Sequence, residues 1–290
     1  MNPASELFAF LRRAKLMQTR EHPPEEEFAA SYDRIASQYD SAWLVYTKSI
    51  TDILVDRLPA TISDPIYDLG CGTGYSTFLL ARKYRNAMLS GVDISQKMLD
   101  AARERVATAM IHYQKEDMLK FLDDKPMDHA GLIFAGWSLG YSDPIKMLDT
   151  GFKKLKQDGV FAFIIEYADS LAPVYDIFMR CMREFPQPNR YFERRMLLQY
   201  PKDKNNLYKW IKRSGLLVSV FEDGYCGISS PGTADGTILS WLLNTGVLAG
   251  LDRALSITEY GPAASRFEQL LSQNTEPLRH HYAMVIAKRM

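Results

Sequence analysis

The stretch Ile66-Tyr67-Asp68-Leu69-Gly70-Cys71-Gly72-Thr73-Gly74-Tyr75-Ser76-Thr77 decides the fold of this chain. An apolar run typical of a strand leads into three glycines, and a helical pattern follows them. Glycines permit a tight turn and let backbone N–H groups approach a ligand at the amino terminus of a helix. The segment therefore predicts a strand, a ligand-binding loop and a helix, in that order.

The details of this loop favour one class of ligand. Its spacing is GxGxG, and Tyr75 stands where a dinucleotide-binding loop needs a third small residue. Asp68, two residues before the first glycine, would repel a pyrophosphate but attract the ammonium of a cofactor that carries an amino acid. The loop therefore favours S-adenosylmethionine over NAD, and an NAD-dependent oxidoreductase is the last of the alternatives.

Two acidic residues further along the chain fit the same ligand. Asp93 ends the run Gly91-Val92-Asp93-Ile94, about 20 residues past the loop, where a carboxylate can accept hydrogen bonds from ribose hydroxyls. Asp117 follows the next apolar run, and it is placed to receive the adenine amino group, with Met118 and Ile94 on either side of the ring. The order of these residues after the loop supports the cofactor interpretation.

Short apolar runs alternate with helical patterns on both sides of the loop. This alternation predicts a doubly wound, mostly parallel seven-stranded α/β sheet with helices on both faces. The predicted strands are Ile66 to Leu69, Met88 to Asp93, Ala109 to Tyr113, Leu132 to Ala135, Val160 to Glu166, Leu216 to Phe221 and Tyr282 to Ala287.

The segments outside this pattern predict the domain organisation. Residues 1–60 are expected to form an N-terminal helical cap, with one helix ending near Arg20 and helical structure from Glu25 to Leu58. The core is expected over 61–168 and 214–290, with a helical insertion at about 232–274. Residues 169–213 are expected to form a lid or substrate insertion, with a helix from Pro173 to Met182.

Residues 64–166 resemble the core of the class I S-adenosylmethionine-dependent methyltransferases, on DLGCGTG, GVDIS and EDM. The resemblance implies a Rossmann-like methyltransferase fold and an enzyme that consumes S-adenosylmethionine and releases S-adenosylhomocysteine. Phe28 to Asp40 also resembles the YDxxAxxYD lead-in of small-molecule members, in which tyrosines cover the cofactor. The predicted cofactor-binding residues are Tyr32, Tyr39, Asp68, Gly70, Cys71, Gly72, Gly74, Asp93, Ile94, Met98, Asp117, Met118 and Gly136.

The carboxyl-terminal third resembles two groups of carboxyl methyltransferases within that family. Trp241 to Val247, Leu251-Asp252 and the run His281 to Lys288 are similar to segments of the enzymes that act on trans-aconitate and on malonyl carrier protein. The resemblance implies a carboxylate oxygen as the methyl acceptor. A carboxylate carries no proton at working pH, so such a reaction needs no general base.

Catalytic candidates are expected beyond the carboxyl ends of the fourth and fifth strands. Trp137, Tyr141 and Tyr167 are predicted to position the acceptor and to exclude water. The sequence after the fourth strand is GWSLGY, not the NPPY or DPPY of enzymes that methylate base amino groups or a protein glutamine. The five histidines are interpreted as structural residues.

The net charge of the chain is zero, with 35 basic and 35 acidic residues, yet the charge is unevenly distributed. Between Leu171 and Arg213 ten basic residues face four acidic ones, a local net charge of +6. Arg190, Arg194 and Arg195 in this segment are predicted to bind a substrate carboxylate through paired N–H donors. The neutral total disfavours nucleic acid as a partner, and the basic insertion favours a small anionic substrate.

Other features of the sequence limit the remaining possibilities. Cys71, Cys181 and Cys226 lie far apart without metal-ligand spacing, so no metal site and no disulfide framework is predicted, and a reducing cytoplasm is expected. No apolar run reaches the length of a membrane span, so no membrane association is expected. The sequence carries no signal for an oligomeric state.

Three alternatives to a carboxyl methyltransferase stay open. A small-molecule enzyme of this kind can instead methylate nitrogen, a hydroxyl oxygen or carbon. A tRNA or protein methyltransferase would use the basic insertion as its docking surface, and its binding to RNA would depend on salt. A non-catalytic domain that binds S-adenosylmethionine as a regulator would keep the same loop.

Overall fold

A computed structural model describes residues 25–106, 111–185, 200–228, 237–249 and 261–290. Its sheet has seven strands in the order β3-β2-β1-β4-β5-β7-β6. β1 to β5 pair in parallel, and β7 runs antiparallel between β5 and β6. The predicted doubly wound, mostly parallel sheet is confirmed.

Each strand overlaps the apolar run that predicts it, and most strands extend beyond that run at one end or both. β2 and β6 each begin one residue later than predicted, at Leu89 and Leu217. They are β1 Ile66–Leu69, β2 Leu89–Asp93, β3 Ile111–Lys115, β4 Ala130–Gly136, β5 Leu155–Glu166, β6 Leu217–Gly227 and β7 Arg279–Lys288. The largest extensions are on β5, β6 and β7, which pair with one another at the antiparallel edge of the sheet. There polar residues such as Glu222 and Asp223 lie within the ladder although they lack the apolar alternation of a strand.

Helices flank this sheet in the part of the chain that the structure describes. They are α1 Glu25–Ile35, α2 Val45–Arg57, α3 Tyr75–Lys83, α4 Gln96–Arg105, α5 Met118–Asp123, α6 Pro144–Lys154, α7 Ala172–Glu184, α8 Lys204–Ser214, α9 Ile238–Leu243 and α10 Pro262–Ser272. A π-helical turn, Asp40–Leu44, precedes α2, and a 3₁₀ turn, Leu139–Tyr141, follows β4.

The amino-terminal helical segment is interrupted, contrary to a single run from Glu25 to Leu58. α1 ends at Ile35, a turn follows, and the π-helical turn leads into α2. The predicted helix that ends near Arg20 lies outside the described residues, as does the start of the predicted strand at Ala109. The helical insertion at about 232–274 is described only in part, as α9 and α10.

The sheet separates two apolar layers whose side chains alternate along each strand. On β5, Phe161, Phe163 and Ile165 face one layer, while Ala162 and Ile164 face the other. A third buried cluster joins α7 to α9 and α10 beyond the sheet. The carboxyl ends of β1, β2 and β4 converge at one edge, and the loops that follow them build the site described next.

Candidate active site

A cavity of about 390 Å³ lies at the carboxyl ends of the strands. Ligands of doubly wound sheets bind in this position, where neighbouring loops diverge. The cavity brings together twelve predicted residues from separate parts of the chain: Tyr32, Tyr39, Gly70, Gly72, Asp93, Ile94, Met98, Asp117, Met118, Gly136, Trp137 and Tyr141.

The glycine loop forms one wall of the cavity with a backbone that suits glycine. Gly70, Gly72 and Gly74 all have positive φ, at 66°, 53° and 80°. A Cβ on Gly70 would lie 2.3 Å from the Cβ of Ser138, whereas a Cβ on Gly72 would meet open space. The first glycine therefore lets β1 and the end of β4 approach each other, and the second leaves room for a ligand.

Asp68 lies behind this loop and is fully buried. Its Oδ2 atom accepts hydrogen bonds from the hydroxyls of Ser76 and Thr77, at 2.8 and 2.6 Å. Its Oδ1 atom has no hydrogen-bond partner among the described residues. Burial raises the pKa of Asp68 to about 6. Because Asp68 lies behind the loop and does not line the cavity, its charge would act on the ammonium of a bound ligand through space.

Asp93 connects the end of β2 to the glycine loop. Its Oδ2 accepts the Gly72 N–H and its Oδ1 accepts the Ser95 N–H, both at 2.9 Å. Burial raises the pKa of this carboxyl to about 6, and these two backbone hydrogen bonds oppose the rise. A carboxylate oxygen accepts more than one hydrogen bond, so Asp93 can also accept from the hydroxyls of a bound ribose.

Asp117 lines the cavity and also caps a helix. Its Oδ1 accepts the N–H groups of Leu119 and Lys120, both at 2.9 Å, and so begins α5. Contact with an adenine amino group would therefore fall to its other oxygen. Ile94 and Met118 line the same part of the cavity and supply the apolar surfaces that a planar base requires.

Residues 25–44, which we call the strap, cover the cavity from the amino-terminal side. The rings of Tyr32 and Tyr39 line the cavity and contact each other edge to face, with centroids 6.3 Å apart. Asp33 Oδ1 accepts the Ser95 hydroxyl at 2.5 Å and the Lys97 N–H at 3.1 Å. The strap is therefore held against the start of α4.

Asp40 makes a second attachment for the strap. Its Oδ1 accepts the hydroxyl of Thr73, in the glycine loop, at 2.6 Å. Its Oδ2 pairs with Arg105, which also donates to the Thr73 carbonyl at 2.9 Å. In each Tyr-Asp pair of the strap, the tyrosine faces the cavity and the aspartate fastens the strap to the cofactor loop or to α4.

Trp137 forms the opposite wall, at the end of β4. Its φ is 67°, a left-handed backbone that costs a bulky residue on the order of 1–2 kcal/mol. Three contacts offset this cost: its N–H donates to the Ile164 carbonyl at 3.1 Å, its indole N–H donates to the Thr51 hydroxyl at 3.1 Å, and its ring stacks on His280. The neighbouring Ser138 hydroxyl donates to the Leu69 carbonyl at 2.6 Å.

Tyr141 completes an aromatic group at this wall. Its ring lies edge to face with Tyr32, centroids 5.8 Å apart, and with Phe28, centroids 6.2 Å apart. Burial raises the pKa values of Tyr32, Tyr39 and Tyr141 well above the usual range. The three hydroxyls therefore stay protonated at neutral pH and can donate hydrogen bonds.

Four of the predicted residues do not line this cavity. Asp68 lies behind the loop, and Cys71 is buried with its sulfur next to Gly91. Gly74 packs against α4, where a Cβ would lie 2.7 Å from the Cβ of Ala102. Tyr167 alternates with Glu166 along the chain, so it lies on the sheet face of Phe163 and Ile165, away from Trp137.

The three arginines predicted to bind substrate, Arg190, Arg194 and Arg195, lie outside the described residues. The described residues that follow them in the chain contact elements next to the cavity. Tyr200 packs so closely on the 3₁₀ turn that a Cβ on Gly140 would lie 2.3 Å from its ring, and the Ala168 N–H donates to the Pro201 carbonyl at 3.0 Å.

Several residues that the motifs do not single out also belong to the site. Phe28, Ser138 and Lys146 line the cavity, and Asp33 and Asp40 hold the strap. The repeat of Tyr-Asp after seven residues was a signal for the two aspartates. Phe28, Ser138 and Lys146 carry no comparable signal, because only the fold brings them to the cavity.

The histidines differ in their surroundings. His129 contacts the Tyr67 hydroxyl at 2.6 Å, and His281 contacts Asp169 Oδ1 at 2.7 Å. His112 is exposed on β3 and His22 lies outside the described residues. His280 is buried beside Trp137 and Glu166, with its Nε2 3.6 Å from Glu166 Oε1.

Metal sites and membrane-spanning helices are two further features that the described residues do not show. In the part of the chain that the structure describes, no cluster of three or more histidine, cysteine, aspartate or glutamate side chains is arranged to hold a metal ion. None of the described helices is both long and apolar enough to span a membrane.

The residues at the cofactor end fit S-adenosylmethionine. The open space above Gly72, the unpartnered Oδ1 behind the loop and the acceptor oxygens of Asp93 match an amino acid and a ribose. The apolar side chains of Ile94 and Met118 match a base. The groups that match the amino acid, the ribose and the base follow one another in this order along the chain.

A family model described as a methyltransferase domain matches residues 66–159. These residues contain β1 to β4, the glycine loop, Asp93 and Asp117. The family match therefore covers most of the residues that line the cavity, and Phe28, Tyr32 and Tyr39 of the strap lie outside it.

Curated relatives extend the similarity beyond that domain. Trans-aconitate 2-methyltransferase of Sinorhizobium fredii is 25% identical over 248 residues, 85% of this chain and 90% of the relative. The enzyme of the same name from Delftia acidovorans is 27% identical, over 71% of this chain and 80% of the relative. That of Rhizobium rhizogenes is 35% identical over 126 residues, and this match spans 46% of that relative's length.

Solved structures share the fold at low sequence identity. A putative methyltransferase from Bacillus halodurans superposes with a TM-score of 0.54 at 12% identity, covering 83% of this chain and 99% of the other. Phosphoethanolamine N-methyltransferase 2 of Haemonchus contortus, complexed with phosphomonomethylethanolamine and S-adenosylhomocysteine, gives 0.53 at 16% identity, covering 90% and 60%.

Proposed function

The chain is a class I S-adenosylmethionine-dependent methyltransferase, and on that premise we propose that it methylates a carboxylate oxygen of a small anionic molecule. The observation that carries the proposal is that one cavity is lined both by the cofactor motifs and by an aromatic group, which we assign to two ends. The glycine loop, Asp93 and Asp117 form a cofactor end, and Tyr32, Tyr141 and Trp137 form an acceptor end. Small-molecule relatives with a carboxylate-rich substrate in their names support the choice of acceptor.

When bound, S-adenosylmethionine supplies a methyl group that its sulfonium already activates. The protein therefore has to bind, orient and desolvate the acceptor more than activate it. A carboxylate is ionised before it enters, so no residue has to remove a proton from it. The protein therefore contributes mainly by positioning the acceptor carboxylate against the methyl group.

The tyrosines suit that work. Their raised pKa values keep the hydroxyls of Tyr32 and Tyr141 neutral, and the two hydroxyls are hydrogen-bonded to each other. The one that accepts this bond keeps its own proton to donate to an anion without adding negative charge. Their rings, with those of Phe28 and Trp137, line the acceptor end and displace water from it. Hydrogen bonds to a carboxylate are stronger in such a dry pocket than in water.

We assign the segment 169–213 to the lid over this end and residues 1–60 to the helical cap. The contact of Tyr200, which belongs to this segment, with Gly140 supports the first assignment, because Tyr141 is the next residue of the same 3₁₀ turn. The local charge of +6 would attract an anion to that side of the protein. Arg190, Arg194 and Arg195 are the proposed contacts for its carboxylates.

A labelled-transfer experiment tests the proposal. The protein is incubated with S-adenosylmethionine labelled in its methyl group and a panel of carboxylic acids, phenols and amines. The product is then treated with mild base, which hydrolyses a methyl ester to volatile labelled methanol but leaves N-methyl, C-methyl and ether products intact. We expect base-labile label from the carboxylic acids. Base-stable label, or label only in added RNA or protein, would contradict the proposal.

A further inference from the structure

Glu166 and His280 form a buried pair beside the acceptor end. Glu166 is the last residue of β5, and His280 is near the start of β7. The two residues are only 5% and 4% exposed. His280 Nε2 lies 3.6 Å from Glu166 Oε1, which is close enough for attraction but beyond a normal hydrogen bond.

The hydrogen bonds around the pair fix how His280 is oriented. Its Nδ1 lies 3.0 Å from the Ser170 hydroxyl oxygen. That oxygen already accepts the backbone N–H of His281, at 3.2 Å, so its own proton is available for Nδ1. The ring proton of a neutral His280 then belongs on Nε2, which faces Glu166.

Glu166 is left with one oxygen that nothing satisfies. Its Oε2 is buried and has no hydrogen-bond partner among the described residues, and the same holds for His280 Nε2. An orphaned polar group in the interior costs about 1–3 kcal/mol, and more when it is charged. A pair that served stability alone would be closed, with both oxygens engaged.

The pair lies next to residues that line the cavity, although Glu166 and His280 are not themselves lining residues. The His280 ring stacks on Trp137, with centroids 5.0 Å apart and planes 28° apart, and Trp137 lines the cavity. Trp43 also contacts the imidazole, with centroids 5.0 Å apart and planes nearly perpendicular. The charge of Glu166 contributes to the raised pKa values of Tyr39 and Tyr141, which line the cavity, and of Tyr200.

We infer that Glu166 Oε2 receives an O–H or N–H proton donor of the methyl acceptor. The inference rests on the proposed function and narrows it, because the acceptor is then a carboxylic acid that also carries a hydroxyl or an amino group. The tyrosine hydroxyls bind its carboxylate, and the pair of Glu166 and His280 binds its donor. An acceptor made only of carboxylates would place negative charge against Glu166.

Matched acids test this inference. Labelled methyl transfer is measured with succinate and with malate and aspartate, which add a hydroxyl or an amino group to the four-carbon skeleton of succinate. Trans-aconitate, a six-carbon acid with three carboxylates and neither group, is a second acid without a donor. The proteins are the wild type, Glu166→Gln, and Asp169→Asn as control. The control breaks the neighbouring pair of His281 with Asp169, which lies near the surface.

The wild type should prefer malate or aspartate over succinate by about tenfold or more in kcat/KM, because a charged acceptor strengthens a hydrogen bond. Glu166→Gln should reduce that preference to near unity, mainly through KM, and Asp169→Asn should keep it. Calorimetry with S-adenosylhomocysteine should give the same affinity for all three proteins, which shows that the variants fold.

The remaining outcomes test the donor contact of Glu166 separately from the carboxylate acceptor. Equal transfer to succinate and malate, or a preference that survives in Glu166→Gln, overturns the inference while the carboxyl methyltransferase stands. Base-stable label on the hydroxyl or amino group of malate or aspartate, lost in Glu166→Gln, overturns the carboxylate acceptor but supports the donor contact. A fall in the melting temperature of Glu166→Gln with loss of cofactor binding, or no transfer to any donor-bearing acid, overturns the inference.

Discussion

The two ends of the cavity are built from the chain in different ways. The cofactor end comes from one continuous stretch of about fifty residues, and its hydrogen bond from Gly72 to Asp93 spans only 21 positions. The acceptor end joins distant segments: Trp137 donates to Thr51, 86 positions away, and stacks on His280. A local end is encoded by a motif, whereas a distributed end depends on the whole fold and can change with it.

Gly70 is the position in the cofactor end where a substitution should have the largest effect. Gly70→Ala should weaken S-adenosylhomocysteine binding by more than about 100-fold, because the left-handed backbone and the contact with Ser138 both exclude a Cβ. Isothermal calorimetry and thermal unfolding measure the effect. Gly227→Ala is the control, since a Cβ there meets open space at an ordinary φ. Equal affinities for the two variants would show that the loop is not the cofactor wall.

Asp93 tests the cofactor end without a steric change. Asp93→Asn removes the charge and leaves one acceptor oxygen for two backbone N–H groups, so affinity for S-adenosylhomocysteine should fall by about 10- to 100-fold. The exposed Asp100→Asn, which affects surface contacts with Arg103 and Gln96, should bind normally. An unchanged affinity in Asp93→Asn would show that this carboxylate does not contribute to cofactor binding.

Asp68 links the same end to stability and pH. Its folded pKa is raised to about 6 from a reference near 4, so the folded state holds the proton more tightly. The stabilisation is therefore full below pH 4 and is lost as the pH rises through about 6. At pH 7 Asp68→Asn should raise the free energy of unfolding of the cofactor-free protein by about 1–3 kcal/mol.

The same substitution should cost cofactor affinity, since a neutral amide attracts an ammonium less than a carboxylate does. Denaturant unfolding of both proteins between pH 4 and 7 gives the difference. That difference should grow with pH and then level off above about pH 7. A difference that is constant across this range would contradict the buried, unpaired carboxylate.

Tyr141 tests whether the acceptor end can be changed without affecting the cofactor end. The expected effect on KM is smaller than the effects on cofactor affinity given above. Tyr141→Phe removes one hydroxyl donor and keeps the ring that packs on Tyr32 and Phe28. The KM for the carboxylic acid should rise by about three- to tenfold, as expected for one hydrogen bond, while the affinity for S-adenosylhomocysteine stays unchanged. A parallel loss of cofactor affinity would show that the two ends are not separable.

The sequence predicts the fold and the cofactor end for a physical reason. β1, the glycine loop and α3 are adjacent in the chain, and each constrains its neighbours through local backbone geometry. The strand runs are apolar because both faces of the sheet are covered. Gly70, Asp93 and Asp117, which follow one another along the chain, therefore all line the cavity, with Asp68 directly behind the loop.

The acceptor end follows no such local rule. Glu166 and Tyr167 are consecutive, but the alternation of a strand sends them to opposite faces, so Tyr167 lies away from the cavity and Glu166 beside it. His280 belongs to β7, whose antiparallel pairing with β5 brings it near Glu166. The turn that ends α1 and sets the position of Tyr39 also has no marker in the sequence, because packing and not propensity decides it.

The structure of the protein with bound S-adenosylhomocysteine tests the division of the cavity most directly. We expect the amino-acid part of the ligand at Gly70 and Gly72 and the ribose at Asp93. The base should lie between Ile94 and Met118, and the sulfur should face Trp137 and Tyr141 across the acceptor end. A sulfur that faces away from these aromatic residues, or a ligand bound outside this cavity, would contradict it.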